Sequence, residues 1–299
     1  MAAASEAETA GLTELAPAKI NLFLHVVGRR GDGYHLLESL VVFASIGDRL
    51  TVRQQPDGIG FQLSGRFADS IGGDPADNLV VRAAKALKDQ SGVADGATIT
   101  LEKNLPVAAG IGGGSADAAA ALLALNRLWD AGLSHDDLAQ LALPLGADVP
   151  ACLHRTAVMM RGIGEKLSPV RIPEGVGVVL ANPLKPLPTP AVFADFRSFE
   201  PFADVGVYDA SAHRDRDAWF GHLQNTSNSL EPPARRLLPS VGTVVRALDR
   251  LDGCRLARMS GSGATCFALF DDWETAARRA DQLAGDRPDW WVTPGRLLA

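Results

Sequence analysis

The feature that most constrains this chain is a run of small residues that holds four glycines within five positions. An apolar segment, 97–101, precedes the run, and strong helix formers follow it from Ala116 to Asp130. This order predicts a strand, a glycine loop and a helix. The loop consists of Pro106, Val107, Ala108, Ala109, Gly110, Ile111, Gly112, Gly113, Gly114, Ser115 and Ala116.

The glycine loop has the properties of a phosphate cradle. Glycine adopts positive φ easily and lets a ligand approach bare backbone N–H groups. The helix that follows directs its unpaired first-turn N–H groups and the positive end of its dipole at the same place. No Lys follows the glycines as in a P-loop, and their spacing is not that of a dinucleotide-binding loop. We expect the loop to bind a nucleotide phosphate, and a plain strand-to-helix turn is the alternative.

Length, charge and cysteine content narrow the class of protein. A chain of 299 residues is long enough for two domains. The net charge of −6, without a basic block, argues against a nucleic-acid partner, and the absence of long apolar runs argues against a membrane span. Three widely spaced cysteines in apolar surroundings indicate a reducing cytoplasm.

Residues 1–14, which are Ala-rich and acidic, fit neither a secretory signal nor a transit peptide and predict a disordered extension.

Along the chain, the pattern predicts a polar cleft followed by a second structural unit. Lys19, Asn21 and His25 project from one face of an apolar strand over 18–27. After a proline-rich stretch and an irregular segment at 200–232, the second half reads as the split β-α-β-β-α-β pattern. The elements predicted for it are strands at 176–180, 255–258, 264–270 and 290–292 and helices at 240–252 and 272–284.

Three motifs in order carry a resemblance to a known family. They are 17–22 around Lys19, the glycine loop, and 259–264 with its Ser-Gly-Ser-Gly sequence. Together they resemble the GHMP kinase superfamily. The segments 31–35, 146–150 and 188–193 resemble, more narrowly, members that phosphorylate a cytidine diphosphate sugar alcohol.

The resemblance implies an α+β, two-domain GHMP kinase fold. The ATP-binding domain, 15–168, is expected to resemble ribosomal protein S5 domain 2. The C-terminal domain, 169–299, is expected to be ferredoxin-like, with the site between the two. It also implies ATP as phosphoryl donor, Mg²⁺, and small-molecule partners: ATP and a cytidine diphosphate sugar alcohol. A cytoplasmic monomer or weak homodimer is expected.

The resemblance also assigns roles to single residues. Asp148 corresponds to the catalytic aspartate and Lys19 to the catalytic lysine, and the glycine loop holds ATP. The expected substrate contacts are Asn21 beside the lysine, Tyr34 and Phe193 sandwiching the cytosine, His35 hydrogen-bonding it, and Ser260 and Gly261 along the diphosphate. Ser115 is the candidate Mg²⁺ ligand.

Structural alternatives exist for each residue taken alone. Asp148 could cap a turn before Pro150, Tyr34 and Phe193 could be core aromatics, and the turn at 259–263 could be a plain hairpin. Lys103 could reach phosphate or substrate, or lie on the surface. At the level of function, the alternatives are another GHMP small-molecule kinase, of sugar, homoserine or mevalonate type, and a non-catalytic nucleotide-binding sensor on the same fold.

Overall fold

A computed structural model of the chain describes residues 11–199, 201–203 and 215–299. Its strands are β1 (Leu12–Arg29), β2 (His35–Gln55), β3 (Ile59–Ser64), β4 (Gly96–Glu102), β5 (Val158–Gly162), β6 (Lys166–Pro169), β7 (Gly177–Asn182), β8 (Leu256–Met259), β9 (Cys266–Phe270) and β10 (Trp291–Leu298). Its helices are α1 (Leu79–Ser91), α2 (Gly113–Leu128), α3 (His135–Ala142), α4 (Val149–His154), α5 (Thr189–Phe199), α6 (Arg216–Gln224), α7 (Glu231–Leu237), α8 (Ser240–Asp249) and α9 (Trp273–Asp286).

The long strand β2 organises the first half of the molecule. It pairs antiparallel with β1 along most of its length, with β5 at its start and with β4 at its end. Because side chains alternate along a strand, Val41 and Phe43 pack under the helices α1 to α4. Leu40 and Val42 face a different cluster on the opposite side of the sheet. Asn78 caps α1, and Ser134 forms a capping box on α3.

The second half confirms the predicted split pattern. Its antiparallel strands lie in the order β10-β7-β9-β8, with α8 and α9 at the expected places in the chain. The irregular segment predicted at 200–232 is wrong over α6 and the start of α7, whereas 201–203 and 225–230 contain no helix or extended strand. Residues 200 and 204–214 lie outside the described residues. Helices α5 and α7 were not predicted from the sequence, because Pro190 lies in the first turn of α5 and Pro232 and Pro233 lie in the first turn of α7. Proline is tolerated in the first turn because the N–H it lacks has no intrahelical partner there.

The two halves are joined by strand pairing and by a shared core. Leu297 and Leu298 of β10 pair with Ala44 and Phe43 of β2. One buried cluster contains Leu40 and Val42 from β2, Val178 and Leu180 from β7, and the α6 side chains Trp219, Phe220 and Leu223. The site therefore lies between two halves that pack on each other directly.

The disordered extension predicted for 1–14 is too long. Strand β1 begins at Leu12, and Glu14 is buried, where its carboxylate pairs with Arg127 and Arg155. Residues 1–10 lie outside the described residues. None of the helices in the described part of the chain has the length and continuous hydrophobicity that a bilayer crossing requires. The three cysteines are free thiols; Cys152 and Cys266 are buried, and Cys254 is partly buried.

Candidate active site

A cavity of about 500 Å³ between the two halves brings most of the predicted site residues together. Its lining includes Lys19, Asn21, Pro106, Val107, Ala108, Ala109, Gly110, Gly112, Gly113, Gly114, Ser115, Asp148, Phe193 and Gly261. Two loop residues do not line it, because the side chains of Ile111 and Ala116 are buried beneath the loop. The predicted glycine loop is thus a wall of the cavity whose apolar side chains anchor it to the core.

Lys19 and Asp148 form an ion pair in this cavity although they are far apart in sequence. Lys19 Nζ donates to Asp148 Oδ2 over 2.8 Å. Lys19 is 5% exposed, whereas the Asp148 side chain is 38% exposed and so open to a ligand. Asp148 immediately precedes α4 but makes no side-chain capping bond, which argues against its being only a turn cap. The backbone N–H of Lys19 donates to the Ile111 carbonyl, which fixes the lysine beside the glycine loop.

The first turn of α2 opens into the cavity. The helix begins at Gly113, and no side chain caps it. Gly113, Gly114 and Ser115 line the cavity, so first-turn N–H groups are available there to a bound anion. Gly112 has a φ of +64°, and a Cβ built on it would lie 3.1 Å from Lys19 Cβ. Gly112 therefore makes room for the lysine side chain, a purpose that the sequence pattern did not indicate.

Lys103 is neither a surface residue nor a free phosphate ligand. Its ammonium group is 3% exposed and contacts Asp48 and, over 2.6 Å, Asp117 Oδ2. Burial by itself lowers the pKa of Lys103, but the charges of Asp117 and Asp48 outweigh it and hold the pKa above its ordinary value. Asp48 also accepts the backbone N–H groups of Asn104 and Leu105, just before the glycine loop.

The two aspartates of this cluster were not found by sequence reasoning. Asp117 lies in an otherwise apolar, Ala-rich stretch of α2, and an acid in such a stretch is the signal that could have found it. Burial raises the pKa of Asp117 to about 8; Lys103 opposes the rise, and Asp48 adds to it. Asp117 and Lys103 both line the cavity, so the cluster supports the loop from beneath.

Asn21, which lines the cavity, has a buried acceptor without a partner. Its amide Nδ2 donates to Ser39 Oγ over 2.8 Å, and Ser39 in turn donates to the Phe23 carbonyl. Its Oδ1 is buried and has no partner, as is rare for a buried polar atom in a folded protein. The bond to Ser39 therefore holds the amide in one orientation and leaves its oxygen without a partner in the protein.

Ser260 and Gly261 lie at the site but differ in what they offer. Ser260 is fully buried; its hydroxyl accepts from the Asn21 N–H and donates to the Gly110 carbonyl. The expectation that the Ser260 side chain contacts substrate therefore needs correction, because its hydrogen bonds are used to hold two segments together. Gly261 and Ser262 line the cavity.

A second cavity of about 540 Å³ contains the predicted aromatic group. Tyr34, His35 and Phe193 line it together with Arg29 and Arg197, and Phe193 and Leu37 line both cavities, so the two adjoin. Tyr34 is 63% exposed, whereas the His35 ring stacks on Phe193 with centroids 4.9 Å apart. One face of Phe193 is thus already covered by His35, an arrangement that the sequence did not predict.

The environment of His35 favours the uncharged form of its imidazole. Burial lowers the pKa of His35, and the charges of Arg197 and Arg29 lower it further. Its Nε2 is buried without a hydrogen-bond partner. A neutral ring with an unpaired nitrogen is suited to a neutral heterocycle.

Comparisons with known proteins agree with this geometry. The chain matches the models of the GHMP kinases N terminal domain over residues 78–156 and the GHMP kinases C terminal over residues 210–287. It is 51% identical to the 4-diphosphocytidyl-2-C-methyl-D-erythritol kinase of Granulibacter bethesdensis, over 90% of this chain and 88% of that protein. It is 49% identical to the enzyme of that name from Parvibaculum lavamentivorans, over 94% and 96% of the two chains.

Solved structures show the same relationship. The crystal structure of a 4-(cytidine 5'-diphospho)-2C-methyl-D-erythritol kinase superposes with a TM-score of 0.79 at 37% identity, over 96% of this chain and 100% of that one. A homoserine kinase from Cytophaga hutchinsonii shares the fold alone, at 19% identity and a TM-score of 0.70, over 98% and 97% of the two chains. The chain therefore belongs to the GHMP kinases and, within them, to the family of 4-diphosphocytidyl-2-C-methyl-D-erythritol kinases.

Proposed function

We propose that this protein transfers the γ-phosphoryl group of ATP to the 2-hydroxyl of 4-diphosphocytidyl-2-C-methyl-D-erythritol. The reaction belongs to the non-mevalonate route to isoprenoid precursors. The observation that carries the proposal is the Lys19–Asp148 pair, which lines the same cavity as the open N-terminus of α2, beside an adjoining aromatic cavity. The names of the relatives supply the identity of the acceptor.

The triphosphate of ATP binds along the glycine loop. Backbone N–H groups of Gly113, Gly114 and Ser115 and the dipole of α2 supply the positive potential that a P-loop obtains in part from a lysine. This is consistent with Lys103 being fully engaged by two aspartates. Positioning and charge stabilisation of this kind dominate phosphoryl transfer.

Asp148 acts as the general base and Lys19 stabilises charge. The acceptor oxygen attacks the γ-phosphorus as the bond to the β–γ bridging oxygen breaks, and ADP leaves. The proton of the attacking hydroxyl passes to Asp148, whose carboxylate is accessible from the cavity. Lys19, 2.8 Å from that carboxylate, offsets the negative charge that develops on the transferring group. Asn21 Oδ1, which has no partner in the protein, accepts a hydrogen bond from the substrate.

Mg²⁺ is the metal that this reaction calls for, and the donor set at the loop is compatible with it. No cluster of three or more His, Cys, Asp or Glu able to hold a metal occurs within the described ranges. Mg²⁺ commonly keeps several waters and binds through substrate phosphates with one or two protein oxygens. The Ser115 hydroxyl, which lines the cavity, is the oxygen we assign to it. When bound, Mg²⁺ neutralises charge on the phosphate oxygens.

The aromatic cavity receives the cytosine. Stacking of a base on an aromatic ring contributes about 1–3 kcal/mol but does not distinguish cytosine from uracil. That distinction requires hydrogen bonds, and His35 Nε2 is an unpaired group positioned to make one. Since His35 already covers one face of Phe193, the base uses the other face or enters as the His35 ring moves.

Two further proposals concern where and in what form the protein acts. The free, buried thiols support a cytoplasmic location, where cysteines stay reduced. We place the protein there as a monomer or a weak homodimer, and sedimentation over a range of concentrations measures which.

A coupled assay of ADP release tests the function. The wild-type protein should turn over with ATP and the diphosphocytidyl alcohol, and not with mevalonate, homoserine or galactose. Asp148→Asn should lower kcat by about 10²-fold or more while ATP binding measured by calorimetry is retained. Turnover with one of the other alcohols alone would identify a different GHMP kinase. Nucleotide binding without turnover on any of them would identify a sensor.

A further inference from the structure

Asn228, in the segment between α6 and α7, bonds directly to the turn at 259–263. We propose that Asn228 is a positioning residue that holds this turn in the shape required to seat the diphosphocytidyl substrate. The identity of the substrate rests on the proposed function, whereas the role of Asn228 in holding the turn, here called the clamp, does not.

Every hydrogen-bonding group of the Asn228 side chain has a partner, and both N–H donors bond to the turn. Asn228 is 4% exposed, and its Nδ2 donates to the carbonyls of Met259 and Gly261, both over 2.8 Å. Its Oδ1 accepts the N–H of Leu230 over 2.9 Å. An amide group has two N–H donors and one oxygen. Both donors therefore bond to the same turn, at the carbonyls of the residues immediately before and after Ser260.

The turn needs such a clamp because it has an unusual backbone. Gly261 has a φ of +55° and Gly263 of +85°, in the region that side-chain-bearing residues avoid. Two carbonyls near one another in the interior are unfavourable unless donors satisfy them. The Asn228 amide supplies both donors from a single rigid group.

The turn at 259–263 joins two walls of the cavity, its own segment and the glycine loop. Ser260 bonds the backbone of Asn21 and the carbonyl of Gly110, and the N–H of Thr265 donates to the Ala109 carbonyl over 3.1 Å. Gly261 and Ser262 line the cavity on the substrate side. A shift of the turn therefore changes the substrate wall and the glycine loop at the same time.

The position of Asn228 is itself fixed by β1. Leu24 N–H donates to the Ser227 carbonyl over 3.0 Å, and Ser229 N–H donates to the Leu24 carbonyl over 2.7 Å. The Ser229 hydroxyl accepts the N–H of Val26 over 3.1 Å. Ser229 thus helps to anchor the same segment to β1 without touching the turn, which makes Ser229→Ala a matched control.

Asn228→Asp keeps the shape of the side chain but removes both donors, and Asn228→Ala removes the group. With folded protein quantified by circular dichroism, kcat/KM for the diphosphocytidyl alcohol should fall by about 10- to 100-fold in each, since displacement of a substrate contact by about 1 Å has costs of this order. Ser229→Ala should stay within about threefold of wild type. Equal losses in the Asn228 and Ser229 variants, or a loss explained by less folded protein with KM unchanged, would overturn the proposal.

Hydrogen exchange tests the clamp without any turnover. The N–H of Gly263 donates to the Ser260 carbonyl across the turn. Its exchange should be at least about tenfold faster in the Asn228 variants than in Ser229→Ala, because the turn opens more often. Unchanged exchange would show that Asn228 does not hold the turn. Faster exchange in a protein that does not phosphorylate the diphosphocytidyl alcohol would contradict the proposed function and leave the clamp supported.

Discussion

At the scale of single residues, two lysines beside the same cavity are used in opposite ways. Lys19 meets one aspartate, Asp148, whose side chain is partly open to the cavity. Lys103 is enclosed between Asp48 and Asp117, all three at most 3% exposed at their side chains. A buried group of two carboxylates and one ammonium carries a net negative charge, which burial penalises. Burial accordingly raises the pKa of Asp117 to about 8, which favours its protonated form.

This protonation predicts a pH dependence of stability. The ordinary pKa of Asp117 is 3.8 and its pKa in the folded protein is about 8, so between these values the folded state holds a proton that the unfolded state releases. Stability due to Asp117 therefore decreases as the pH rises from 6 to 8, by at most about 1.4 kcal/mol per pH unit. The free energy of unfolding of wild type relative to Asp117→Asn, from urea titrations at pH 6, 7 and 8, should fall along this series.

Asp137→Asn is the control for that measurement. The hydroxyl and the backbone N–H of Ser134 hold the pKa of Asp137 below its ordinary value, so this carboxylate is ionised throughout the interval in both states. Its difference from wild type should be constant between pH 6 and 8. A constant or rising difference for Asp117→Asn would show that its carboxylate is ionised in the folded protein.

At the scale of elements, the glycine loop and the turn at 259–263 pack in close backbone contact. A Cβ on Gly110 would lie 2.6 Å from the Ser260 carbonyl oxygen, and one on Gly261 would lie 2.7 Å from the Gly110 carbonyl oxygen. Gly110 also has a φ of +75°. The requirement for glycine at 110 thus comes from contact between the two segments, whereas Gly113 and Gly114 begin the helix that faces the ligand.

These different roles predict different stability effects. Gly110→Ala should lower the free energy of unfolding by about 2 kcal/mol or more, since it adds a clash to an unfavourable backbone conformation. Gly114→Ala should raise it by about 0.5–1 kcal/mol, because alanine favours the helix and the nearest atom to the new Cβ is 3.8 Å away, on Leu79. Urea unfolding measures both. Equal effects at the two positions would contradict the packing argument.

At the scale of the whole molecule, the shared core predicts that the two halves unfold together. One buried cluster includes Ile20, Leu40 and Met159 from the first half and Val178 and Phe267 from the second. Neither half can expose this surface without exposing that of the other. Cooperative behaviour of this kind is expected where the interface is a true hydrophobic core.

Urea unfolding with two probes tests this prediction. In Trp129→Phe the remaining tryptophans all lie in the second half, so their fluorescence reports that half while far-UV circular dichroism reports both. The two midpoints should coincide. Adding Ile20→Ala, which costs about 2–5 kcal/mol in a core, should lower both midpoints equally. Two separate transitions would show that the halves are independent.

The sequence by itself determined the parts of this protein that depend on neighbouring residues. The strand, glycine loop and helix around Gly112, the part of the polar face formed by Lys19 and Asn21, and the split pattern of the second half all follow from local composition and periodicity. His25, predicted on the same face, does not line the cavity, because the register of β1 shifts between Asn21 and Phe23. The role of Asp148 came from the resemblance of segment 146–150 to the GHMP kinases, since the residues alone left a turn cap open. The local features could be predicted because backbone conformation and the direction of a side chain are set within a few residues.

Only the tertiary structure decided which groups these side chains meet. It placed Lys103 between Asp48 and Asp117, turned the Ser260 hydroxyl onto Gly110, stacked His35 on Phe193 and directed Asn228 at the turn. These partners come from distant segments; Asn21 and Ser260, for example, are 239 residues apart. A buried polar group must find a partner, but which partner it finds depends on how the two halves pack across their shared core.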